Sequence, residues 1–192
     1  MKSKTLTHAC INAAAVLLTA LPVHAQNLDE ALRAVNEGRH AQALQLLTPL
    51  ANANNAYAQL RLGMLHYYGQ GTREDEQLAI HWWSKAAAQG NAEAMFQIAN
   101  AYLFGSQVSR SVVDPDREAA IWYFQAASAG HAEAQYHLGL LFLAGKGVVD
   151  SHEEAARWFR KAADQGHVEA KKAIGNIEEA RKSISSIQKK KR

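Results

Sequence analysis

A tryptophan followed by a second aromatic residue occurs three times in this chain, as Trp82-Trp83, Trp122-Tyr123 and Trp158-Phe159, at intervals of 40 and 36 residues. Each pair is followed by two alanines and then, at a fixed distance, by Gly90, Gly130 or Gly166. Other columns keep the same period: Ala58, Ala94, Ala134 and Ala170 form one, and Gly63, Ala99, Gly139 and Gly175 another. Agreement of independent columns means that one structural unit has been written repeatedly, and a unit of this length cannot bury its apolar face without stacking on its neighbours.

Each unit reads as two helices. Ala58, Leu62 and Leu65 stand at i, i+4, i+7, as do Ala94, Ile98 and Ala101, and Ala134, Leu138 and Leu141; these are first helices, A. Second helices, B, carry Ala79, Trp82, Trp83, Ala86 and its two counterparts at i, i+3, i+4, i+7. A glycine in mid-helix costs about 1 kcal/mol relative to alanine, so Gly63 and Gly139 predict a close helix–helix approach. The aromatics are expected to fill the space between hairpins, and truncating Trp82, Trp122 or Trp158 to Ala to cost about 3–5 kcal/mol. Asp75, Asp114 before Pro115, and Ser151 are expected to cap helices B, while Asn91, His131 and His167 stand where a side chain can cap the next helix A or donate to the turn. A shorter helix pair, broken at Gly38-Arg39-His40, precedes the first unit, and His167 to about Lys190 reads as a closing helix.

These columns resemble the Sel-1-like repeat family, a relative of the tetratricopeptide repeat. The third unit is the fullest match, at Ala132, Ala134, Leu138, Gly139, Phe142, Gly145, Gly147, Val148, Ala155, Trp158, Phe159, Ala162, Ala163, Gln165 and Gly166. The first matches at Ala56, Ala58, Leu62, Gly63, Gly69, Gly71, Asp75, Ala79, Trp82, Ala86, Ala87, Gln89 and Gly90, with His66 in place of an aromatic. The second departs most, with Ala99 for the glycine and Gly105-Ser106-Gln107 for the turn. The resemblance implies an all-α, right-handed α-solenoid of stacked helical hairpins, with a concave face lined by helices A that binds other proteins. The expected organisation is a leader over 1–25, a tetratricopeptide-like helix pair over 26–54, three repeats over 55–166, a capping helix over 167–180 and a basic tail over 181–192. Some cysteine-rich relatives are linked to penicillin binding or hydrolysis; this chain lacks those cysteines.

Lys2 and Lys4, the uncharged stretch from Ala9 to Leu21, and Val23-His24-Ala25 follow the pattern of a cleavable signal peptide cut before Gln26. Thirteen residues are too few for a bilayer span, which takes about 20, so the expected location is the periplasm, or outside the cell. The single cysteine, Cys10, lies in that segment, leaving no disulfide, thiolate zinc site or thiol nucleophile in the remainder. Residues 26–180 carry 13 Lys/Arg against 18 Asp/Glu, whereas 181–192 carry six Lys/Arg and no acid. The body is therefore not expected to bind nucleic acid, and the tail offers at most weak attraction for anionic lipid, about 1 kcal/mol per charge.

No nucleophile elbow, zincin motif or phosphate-cradling loop is present in the sequence. Ser186-Ile187-Gln188-Lys189 matches the S-x-x-K spacing only within the charged tail. No enzyme activity, cofactor or metal is expected. Partner binding is expected on helix-A residues not spent on the core: Tyr57, Glu93 and Glu133 in one column, Arg61, Gln97 and His137 in another, and Tyr67, Tyr68, Leu103 and Phe104 near helix ends. Acidic residues beside aromatics suit a basic or amphipathic peptide segment. The alternatives are an immunity or inhibitor protein against a secreted toxin and, more remotely, a cell-wall hydrolase. Sequence leaves the oligomeric state open, and the loop from Val108 to Pro115 reads as tolerated drift.

Overall fold

The computed structural model describes residues 28–190, and all regular structure among them is helical. The expected leader over 1–25 lies outside the described residues, as do Lys191 and Arg192. The described helices are α1 (28–36), α2 (His40–Asn52), α3 (Ala56–Tyr67), α4 (Glu76–Ala88), α5 (Ala92–Phe104), α6 (Pro115–Ser128), α7 (Ala132–Ala144), α8 (His152–Asp164) and α9 (Val168–Lys190), with a short 3-10 turn at Ser109–Ser111. They divide into two compact units at the Asp75–Glu76 boundary.

In the first unit α2 packs on α3, and Gly38 (φ +71°) makes the break between α1 and α2. In the second, each helix from α4 to α9 packs on the next, forming the all-α stack of hairpins that the period predicts. Caps set where each helix begins. The side chains of Asn55, Asn91, His131 and His167 accept from the backbone N–H of Ala58, Ala94, Ala134 and Ala170, and Asp114 and Ser151 do the same for Arg117 and Glu154. Gly145, in left-handed backbone (φ +62°), ends α7.

The cores are alanine and aromatic. Trp83, Tyr123 and Phe159 are 1%, 0% and 0% exposed, so the second member of each aromatic pair is the deeply buried one. The leading tryptophans sit nearer the surface: Trp122 is half-buried, and the ammonium groups of Lys85 and Lys161 lie 4.5 and 4.1 Å from the ring centres of Trp82 and Trp158. The expected cost of about 3–5 kcal/mol for truncation suits the buried Trp82 and Trp158 better than the half-buried Trp122. Two glutamines repeat a polar tie inside the stack. Gln59 donates to the carbonyl of Ala51 in the first unit and Gln135 to that of Ala127 in the second, each at 3.0 Å, so a buried amide is satisfied by the last turn of the preceding helix.

Candidate partner-binding surface

Helices A carry the residues that the sequence nominates. In the first unit, α3 places Tyr57 and Arg61 one turn apart. The guanidinium donates to the Tyr57 hydroxyl (Nη2 to Oη, 2.9 Å) and its carbon lies 5.2 Å from that ring's centre. Tyr67 and Tyr68 meet edge to face, with centroids 5.1 Å apart, and Tyr68 is largely exposed. The first pair sets a ring beside a cation, and the second holds two rings together.

In the second unit the nominated residues form two repeated clusters. Glu93 accepts from the Gln97 amide (2.6 Å) and from the Nε2 of His131 (2.9 Å). Glu133 lies 3.6 Å from His137 Nε2 and accepts from His167 Nε2 at 3.0 Å. Each capping histidine thus works from both ring nitrogens. Its Nδ1 receives a backbone N–H at the start of a helix A, which requires a lone pair there. The ring proton is therefore on Nε2 and points at a carboxylate of the previous helix A. The imidazoles also stack on an aromatic of that same helix: His131 on Phe96 at 4.6 Å between centroids, and His167 on Tyr136 at 4.5 Å.

Glu93 and Glu133 are consequently tied into the joints between hairpins while keeping 40% and 48% of their side chains exposed. His137 stacks flat on Tyr123, centroids 5.3 Å apart. Burial pulls the His137 pKa below its ordinary value, outweighing the attraction of Glu133. Leu103 is half-buried and packs against the core of the second unit, whereas Phe104, at the end of α5, is 67% exposed.

Glu76 was not singled out in the sequence. It opens α4, is 3% exposed, and receives the backbone N–H groups of Ser106, Gln107 and Val108, each at 2.8 Å. Burial alone pushes its carboxyl pKa up, but those three donors and the Ser106 hydroxyl hold it below the ordinary value. The stretch read as drift is thus anchored at its start, with Val108 buried at 1% exposure. The partner lies 30 residues upstream; the only local signal is that Gly105-Ser106-Gln107 breaks the turn pattern.

Among the described residues no group of three His, Cys, Asp or Glu side chains could hold a metal ion, and no helix is long and apolar enough to cross a membrane.

Stacked A and B helices joined by glycine turns define a helical-repeat protein. The chain belongs to the Sel1 repeat family, whose pattern it matches over residues 56–91, 92–131 and 132–167. It is similar to a Sel1 repeat protein from Oxalobacter formigenes, with 31% identity and a TM-score of 0.69 over 78% of this chain and 58% of that one. It also resembles a protective antigen with this fold from uropathogenic Escherichia coli, with 34% identity and a TM-score of 0.64 over 69% of this chain and 28% of the antigen. Human protein sel-1 homolog 2 is 38% identical over 77 residues, which is 40% of this chain and 11% of that protein. The chain thus spans only a small part of its curated relative. Sel1 repeat proteins act as scaffolds for protein–protein interaction.

Proposed function

We propose that this protein is an exported adaptor that captures a segment of another protein on its helix-A surfaces. The observation that carries this reading is the pair of repeated carboxylates, Glu93 and Glu133. The Gln97 amide and the His131 ring hold Glu93, the His137 and His167 rings hold Glu133, and both carboxylates remain about half exposed. Charge held in place before binding loses little entropy on capture, and two such carboxylates on successive helices A suit a segment with spaced basic residues. Within the same unit the exposed ring of Phe104 offers an apolar contact for this class of ligand. Export rests on the basic, apolar and small-residue succession of residues 1–25; mass spectrometry of the protein from periplasmic extract should find a chain beginning at Gln26.

The test is capture from that extract with the protein and with a Glu93→Gln, Glu133→Gln double variant. The amide keeps an acceptor for His131 and His167, so the joints survive while the charge is removed. An identified partner retained by the protein and lost by the variant, at unchanged thermal stability, supports the reading. A partner held equally by both overturns the helix-A assignment.

A further inference from the structure

Three times in this chain the loop after a helix A is laid against the first residues of an earlier helix. Gly71 lies so close to the start of α2 that a Cβ would come within 2.6 Å of the His40 and Ala41 backbone, Glu76 at the start of α4 holds Ser106 to Val108, and Gly147 presses on the Asp116 backbone in α6. His152, which opens α8, occupies the fourth such position, 36 residues after Asp116. No loop among the described residues covers it. The register that holds Gly145 in α7 holds Arg181 in α9, so nothing stops the helix there and it continues to Lys190.

An open groove of about 650 Å³ results. Leu140 and Leu143 of α7 form one wall, Ala173, Ile177 and Ala180 of α9 the other, and His152 and Arg181 stand at the rim. From Ala173 to Arg181 it follows α9 for about 12 Å, two helical turns. The residues on the α9 wall belong to a longer sequence pattern. Ala170, Ala173, Ile177, Ala180, Ile184 and Ile187 are spaced 3, 4, 3, 4 and 3, the spacing of a helix that packs along a second helix. Burial falls along its described part: Ala170 is fully buried, Ile177 half-buried and Ala180 exposed.

We infer that this groove receives an amphipathic helix of a partner protein, with an apolar face on Leu143, Ile177 and Ala180 and acidic flanks toward Arg181. Charge selects the occupant. From residue 181 onward the chain has six Lys/Arg and no acid, and none of the ion pairs among the described residues uses Arg181. A second copy laid parallel on this groove would set Arg181 against its own counterpart. Two facing walls accept a rod and not a plane, which favours a helix over a lipid surface. The groove does not need the Glu93–Glu133 column, so this site and the adaptor reading fail independently.

The probe is a fluorescent designed peptide of leucine heptads flanked by glutamate, with a lysine-flanked peptide of the same seam as control. Anisotropy should show the acidic peptide binding the full chain at least about tenfold more tightly than the basic one, with the preference shrinking as salt rises. Ala180→Glu fills the groove from an exposed position and should weaken binding about tenfold, as should Arg181→Glu, while Glu93→Gln leaves it unchanged and circular dichroism confirms an intact helical signal. Failure of the acidic peptide to bind, equal binding by both peptides, or binding unaffected by Ala180→Glu overturns the inference. So does a dimer in sedimentation that Ala180→Glu dissolves, which makes a second copy the occupant. Co-sedimentation with phosphatidylglycerol–phosphatidylethanolamine vesicles in the absence of peptide binding assigns the surface to lipid and overturns it equally.

Discussion

The ring of Phe159 lies directly on Gly139, where a Cβ would stand 2.6 Å from a ring carbon. Phe159 is fully buried and cannot swing aside. Gly139→Ala should therefore destabilise the protein by about 1–3 kcal/mol from overpacking, despite the gain of about 1 kcal/mol in helix propensity. Gly175 holds the same column in α9 with nothing within 4 Å of its Cβ position, so Gly175→Ala should stabilise by about 1 kcal/mol or less. Urea unfolding of the two variants checks the opposite signs.

The two-ended histidines make a graded prediction. His131→Ala removes the cap on Ala134 and the contact with Glu93, and should cost about 1–2 kcal/mol. His131→Asn restores what Asn91 does one hairpin earlier, keeping the cap without the reach to Glu93, and should cost less than half as much. Equal losses in denaturant titration would show that capping is not the histidine's main contribution.

Glu76 predicts a pH-dependent loop. Its folded-state pKa lies below the ordinary 4.5, so its contribution to stability is present above that value and is lost as pH falls through the folded value. Amides of Ser106, Gln107 and Val108 should be protected from hydrogen exchange near neutrality and lose that protection on acidification. Glu76→Gln should remove it at every pH, at a cost of about 1–3 kcal/mol.

His137 has the same sign at higher pH. Burial holds its folded-state pKa below 6.5 against the pull of Glu133, and the neighbouring His167 and His131 add to the lowering. The unfolded chain then takes up the proton first, so this contribution to stability is present above pH 6.5 and is lost as pH falls through the folded value. The urea midpoint should fall across that range in the wild-type protein, and less steeply in His137→Gln.

The hairpins and their boundaries were legible because both are written locally: apolar spacing, cap residues and turn glycines all lie within one unit. Asn91, Asp114, Ser151, His131 and His167 cap as their positions suggest. What sequence hid is contact between units. The Trp-aromatic column marks the packing face but does not say that Tyr123 and Phe159 go deeper than Trp122 and Trp158, because that depends on the tilt of the neighbouring hairpin. The columns of Glu93, His131, Glu133 and His167 were visible, but their mutual distances across about 35–40 residues of chain were not. The Glu76 clasp was invisible for the same reason, its three donors being backbone groups of residues without distinguishing side chains.

The imidazole–carboxylate joints have a mechanical consequence. Glu93 reaches His131 and Glu133 reaches His167, each tie running from one hairpin to the next. Pulling the final helix away would break the Glu133–His167 tie and leave Glu93–His131 closed, so force should open the second unit from its end one seam at a time, like a zip, and not by collapse of the whole.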